Sequence, residues 1–131
     1  MFWKEAMNNK DFSGIRNNGN LPDPRDINIP DDVRDLLGDY ADSTNSMLDE
    51  LEKSALSYEA GDKSEENTNN IKRILHKIKG ESSMVGIEEI TECTHQAEFA
   101  FDELNENQRP DMLLKYRDWT GRAICYMTEH V

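Results

Sequence analysis

Cysteine is scarce in this chain. Only Cys93 and Cys125 occur in 131 residues, and they form neither a disulfide framework nor a metal-type CxxC pair. Both read as reduced, half-buried helix residues. No apolar run approaches the ~18 residues of a membrane span. The opening MFWKEAMNNKDF lacks the apolar core of a signal peptide, so a cytoplasmic location follows. Cations are few as well: 15 Lys and Arg stand against 27 Asp and Glu, a net charge of −12. That balance argues against nucleic acid, whose phosphates call for an excess of Lys and Arg, and against an anionic membrane surface. It suits solubility, or a partner with a basic face. Period-two alternation, internal repeats, Gly-rich phosphate loops and nucleophile-elbow serines are missing too. The length favours one domain with one core.

What is present divides at Pro30. Residues 1–30 are rich in Asn, Gly, Pro and Asp and read as a poorly ordered N-terminal arm. Phe2, Trp3 and Phe12 are its large anchors, and their docking on the rest of the chain or on a partner is the competing reading. After Pro30 the pattern is helical. Asp31 and Asp32 suit a helix start. Val33, Leu37, Tyr40, Thr44, Met47, Leu51, Ala55 and Tyr58 recur every three or four residues and predict a helix over 31–60. Ser64, with Asn67 three later, opens a second over 63–83, and Gly86 ends its pattern. A third is predicted over 87–107. Pro110 is placed to open a fourth over 110–130. Trp119 and Tyr116 belong to the core of that fourth helix. His130 and the acidic pairs Asp31-Asp32, Asp49-Glu50 and Glu65-Glu66 read as solvated. Four helices joined by short turns predict an all-α, antiparallel up-down four-helix bundle over residues 31–131.

The stretch KRILHKIK, residues 72–79, holds four of the fifteen cations and no acid. On a helical wheel His76 lies about 140° from Ile71, at the edge of the stripe made by Ile71, Ile74, Leu75 and Ile78. Its imidazole should therefore be partly exposed, with Lys72, Lys79 and Ser83 on the same flank. A histidine in a basic island within an acidic chain suits a bound or covalent phosphoryl group, whose oxygens take charge-assisted donors. Gly80 follows one turn later, where glycine costs about 1 kcal/mol relative to alanine. Clearance beside the imidazole for a large partner would explain it. A loosely specified helix end would explain it too.

On the third helix Glu98 falls about 20° from Ile87, inside the apolar arc of Ile90, Thr94, Ala97 and Phe101. A carboxylate there needs a partner. His76 is one candidate if the second and third helices pack antiparallel. A carboxylate at one ring nitrogen fixes the tautomer and leaves the other nitrogen free as a nucleophile. A plain ion pair of Glu98 with Lys79 or His95 is the other reading.

The segment HKIKGESSMVG, His76 to Gly86, resembles the phosphorylation-site motif of histidine phosphotransfer (HPt) domains. His76, Lys79, Gly80, Ser82 or Ser83, and Gly86 match it. The segment Thr94-His95 with Glu98 resembles the Thr-His-x-x-Glu of the N-terminal HPt domain of CheA-type chemotaxis kinases. The resemblance covers residues 31–130, its specific motif only 76–104. It implies that His76 is the phosphoacceptor, that Glu98 orients it, and that Lys79 and His95 support it. Lys72, Lys77, Gly80 and Ser83 would line the partner's approach. It further implies a monomeric carrier with no cofactor and no ATP site. The carrier would be loaded by a histidine kinase catalytic domain, in cis or in trans, and unloaded by the receiver domain of a response regulator. The arm is longer than that family leads one to expect, so a standalone carrier and a domain of a larger kinase both fit. Two other functions stay open. One is a metal site of His76, His95 and Glu98, with Cys93 nearby; Lys79 opposes a cation there. The other is a helical interaction module without chemistry.

Overall fold

The computed structural model describes residues 10–130. They form a short helix α1, Gly14–Asn17, a 3-10 segment, Asp31–Leu36, and four long helices. These are α2, Leu37–Glu59, α3, Glu65–Val85, α4, Glu88–Glu103, and α5, Arg109–Glu129. Helix α2 packs on α3 and α5, and α4 packs on the same two. With short links between them, this is the neighbour pattern of an up-down four-helix bundle. Among the described residues there is no strand, and no helix is long and apolar enough to cross a membrane.

The stripes face inward as their spacing requires. Leu37, Tyr40, Leu51, Ala55 and Tyr58 of α2 meet Ile71, Ile74, Leu75 and Ile78 of α3 in one core. Val33, in the 3-10 segment, is only half-buried. Two hydroxyl pairs cross the core, while the hydroxyls of Thr44 and Thr120 are buried without a partner among the described residues. Tyr40 Oη and Ser82 Oγ are 2.6 Å apart, and Thr94 Oγ1 and Tyr116 Oη are 2.7 Å apart. Burial pushes the Tyr40 phenol up to about 12 and raises Tyr116 further still. The cysteines are free, but neither is half-buried as expected. Cys93 lies in the core, where burial drives its thiol far above the usual range. Cys125 is exposed, and its hydrogen bond to Glu129 raises it.

Local chemistry sets the helix ends. The Ser64 hydroxyl accepts the Asn67 backbone N–H at 3.2 Å, capping α3. Gly86 closes α3 at φ 85°. Its N–H meets the Ser83 carbonyl and the Ile87 N–H meets the Ser82 carbonyl, a Schellman closure that a side chain would strain. Helix α4 stops at Glu103, short of 107, because Leu104 turns extended with ψ 153°. The first predicted helix opens as the tighter 3-10 form before α2 begins.

The arm is the main correction. Residues 1–9, with Phe2 and Trp3, lie outside the described residues, but residues 10–30 are packed on α4 and α5. Phe12 and Ile15 are buried, and Leu21, Ile27 and Ile29 pack against the core. The Phe12 ring meets Trp119 edge-on at 5.0 Å, and Trp119 Nε1 donates to the Pro22 carbonyl at 2.8 Å. Lys115 donates to the carbonyls of Gly14 and Gly19. A Cβ at Gly14 would collide with the backbone of Gly19 and Asn20. Glu89 of α4 is 3% exposed. It holds Lys10 Nζ at 2.9 Å and accepts the Asn28 backbone N–H at 3.3 Å. The Asn and Gly content suggested disorder, whereas five spaced apolar side chains and these polar ties fasten the segment.

Candidate functional site

Helix α3 carries its core stripe on one side, so His76 projects from the other. Its side chain is 77% exposed, more than the edge of a stripe suggests. Gly80, one turn on, offers nothing to cover it: a Cβ built there would meet no atom within 4 Å. The glycine is therefore not required by any contact among the described residues.

Antiparallel packing brings α4 alongside. Glu98, whose side chain is 25% exposed, places Oε2 3.5 Å from His76 Nδ1 and Oε1 2.6 Å from Lys79 Nζ. Of the partners the sequence offered Glu98, Lys79 is in ion-pair contact and His76 is its neighbour. Glu98 pairs with Lys79, and its second oxygen faces the imidazole at a distance longer than a formed hydrogen bond. With Nδ1 turned toward Glu98, Nε2 is left on the outer edge of the ring. The arrangement can therefore hold a carboxylate in place through its lysine, fix one ring nitrogen as a donor, and present the other's lone pair to solvent.

Beside this group a pocket of about 210 Å³ is lined by Lys79, His95, Glu98, Phe99 and Asp102. His95 belongs to it, with its ring edge-on to Phe99 at 4.8 Å. Thr94 does not. Its hydroxyl is spent in the core on the Ile90 carbonyl and Tyr116. Lys72 is turned along the rim to Asp102, 3.0 Å away, and Arg73 pairs with Glu50. Lys77, exposed, has no ion-pair partner among the described residues. Ser83 is exposed on the His76 face. Cys93 is sealed in the core, apart from the histidines. Among the described residues no three His, Cys, Asp or Glu side chains are grouped to hold a metal.

Two exposed apolar side chains flank the site and went unremarked in the sequence. Met84 is 87% exposed and Phe99 49%. Both fall off their helices' apolar stripes, which is the signal that could have found them. Glu89 was missed as well, because its partners lie 61 and 79 residues away.

Compared with known proteins, the chain is matched over residues 35–122 by the sequence model of one family, described as the Hpt domain. No curated protein and no solved structure matches it. The matched segment covers α2, α3 and α4 and most of α5, and so includes His76, Lys79 and Glu98.

Proposed function

Because the chain belongs to the Hpt domain family, whose members carry phosphoryl groups on histidine in phosphorelays, we propose that His76 is its phosphoacceptor and that Nε2 is the reacting atom. The observation that carries this is the approach of Glu98 to His76 Nδ1 at 3.5 Å, with the ring otherwise in solvent. The lone pair on Nε2 attacks the γ-phosphorus of ATP held by a separate kinase domain. The bond from that phosphorus to the bridging oxygen breaks, and its electrons leave with ADP. Positive charge grows on the ring as the N–P bond forms, and the Glu98 carboxylate faces that charge through Nδ1–H. A carboxylate oxygen of a receiver-domain aspartate then bonds to phosphorus in line, the N–P bond breaks, and the electron pair returns to Nε2.

Lys79 has two tasks in this reading. It orients Glu98, and it stands where a phosphoryl oxygen on His76 would find a cation. His95 supports from the neighbouring pocket. Gly80 serves the partner: its cost of about 1 kcal/mol is matched by no contact among the described residues and fits clearance for an incoming domain. Lys77 is the cation of this island left to meet that domain.

The CheA-type assignment rests on His95 and Glu98 sharing one rim. Thr94, the third member of that likeness, is occupied in the core. A kinase of that type and its receiver are the proposed partners.

Intact mass after incubation with candidate kinase domains and ATP tests the reading, run on the wild type and on His76→Gln. One acid-labile phosphoryl group on the wild type and none on the variant is expected. An equal gain on both would move the acceptor elsewhere. No gain with any kinase or with phosphoramidate would leave an interaction module.

A further inference from the structure

Phe99 and Met84 stand on opposite sides of His76. Met84, eight residues along α3, lies about 80° round the helix from His76, whereas Lys79, which reaches α4, lies about 60° round the other way. Phe99 comes from α4 on that Lys79 side and walls the pocket next to Glu98. The two side chains differ in how they are held. None of the hydrogen bonds, ion pairs or ring contacts among the described residues involves Met84. Phe99 is gripped from two directions: the His95 ring meets it edge-on at 4.8 Å, and the Arg16 guanidinium lies 5.9 Å from its centroid.

Arg16 comes from the arm. It is fixed by two parallel bonds to Glu103, Nε to Oε1 and Nη2 to Oε2, each 2.8 Å. Its own helix, α1, is seated by the buried Phe12 and Ile15. A segment sixty residues upstream of His76 in the chain thus ends at the rim of the histidine's pocket. Nothing in the bundle's stability calls for this. Arg16 and Glu103 are both about half-exposed, and such a pair contributes little to folding.

We propose that the arm is a recognition element for the receiver domain that unloads His76: Arg16, clamped by Glu103, holds Phe99 against His95, and Phe99 is a specificity contact for that domain. The proposal rests on the phosphocarrier reading. In-line transfer forces the partner's aspartate onto phosphorus at Nε2, so its surface must cover the ground around His76. A stable interface takes about 800 Å² per side, a disc of roughly 16 Å radius. Phe99, one pocket's width from Glu98, falls inside it. An aromatic ring with neighbours on two sides loses less freedom on docking than a free one, which suits a hot spot. The charges around the ring are internally matched, Arg16 by Glu103 and Lys72 by Asp102. The partner that fits is a receiver whose docking face is apolar opposite Phe99. Arg16 acts through the ring and is a positioning residue.

The test loads the full chain with phosphoramidate, a donor too small to need docking, as wild type, Arg16→Ala, Phe99→Ala and the double variant. Transfer is then measured to each receiver domain encoded by the source organism, and the fastest acceptor of the wild type becomes the probe. All four proteins should reach the same level of phospho-His76. Arg16→Ala and Phe99→Ala should each slow transfer about tenfold through a higher KM, with the maximal rate unchanged. In the Phe99→Ala background, Arg16→Ala should have no further effect. Unchanged KM in both single variants, or additive losses, would overturn the proposal while the carrier reading stands. Failure of wild-type His76 to take phosphoryl would instead overturn the carrier reading, and this proposal with it.

Discussion

Helix α4 carries two carboxylates that ought to be costly, nine residues apart, and they meet different fates. Glu89 is 3% exposed and is consumed by structure: Lys10 and the Asn28 backbone N–H close around it and fasten the arm. Glu98, at 25% exposure, keeps one oxygen on Lys79 and turns the other toward His76. Burial alone does not tell them apart in kind. What separates them is the partner set. Glu89 is enclosed by a cation and an N–H that have no other task. Glu98 is left with an oxygen 3.5 Å from a ring nitrogen, a gap that closes only if the imidazole is called upon as a donor. In the proposed function the carboxylate with the unfinished contact is the one that acts.

Substitutions can pull the two apart. The largest effect is expected from His76→Gln, which should abolish acid-labile phosphorylation and leave thermal unfolding unchanged, read by intact mass and calorimetry. Glu89→Ala comes next. It strands Lys10, 16% exposed, beside a hole, and should cost about 3 kcal/mol in denaturant unfolding. Folded Glu89→Ala protein should still take phosphoryl at the wild-type rate. Glu98→Ala should do the reverse, slowing phosphorylation of His76 by about 10- to 100-fold with a midpoint within about 1 kcal/mol of wild type. Should Glu98→Ala unfold the bundle, the distinction between the two carboxylates would collapse.

Smaller effects sharpen it. Gly80→Ala meets open space and should stabilise α3 by up to about 1 kcal/mol, yet slow transfer to a receiver while phosphoramidate loading is unaffected. Alkali probes the core instead of the rim. Tyr40, raised by burial to about 12, is held neutral in the fold, whereas the unfolded phenol ionises near pH 10. Its contribution is whole below pH 10 and is lost as pH climbs toward 12, at up to about 1.4 kcal/mol per pH unit. Tyr116 should add to the same loss. Tyrosinate absorbance should rise together with the loss of helix signal, and titration ahead of unfolding would contradict the buried pairs with Ser82 and Thr94.

The bundle was legible because its information is local. Periodicity located four stripes, Ser64 and Gly86 marked the ends of α3, and the wheel put His76 at the edge of one stripe and Glu98 inside another. The arm was not legible, since its ties are long-range. Nothing near Lys10 announces Glu89, and nothing near Phe12 announces Trp119. Thr94 misled for a related reason: a motif match says nothing about which way a hydroxyl turns, and the Tyr116 phenol claimed it. Phe99 was visible as an aromatic off its stripe, but its meaning depended on Arg16.

The central claim is that Glu98 turns His76 so that Nε2 reacts. Long-range ¹H–¹⁵N correlation on the ¹⁵N-labelled, phosphorylated chain reads which ring nitrogen carries phosphorus. The account predicts phosphoryl on Nε2 with a proton on Nδ1. Phosphoryl on Nδ1 of His76, or on His95, would contradict it.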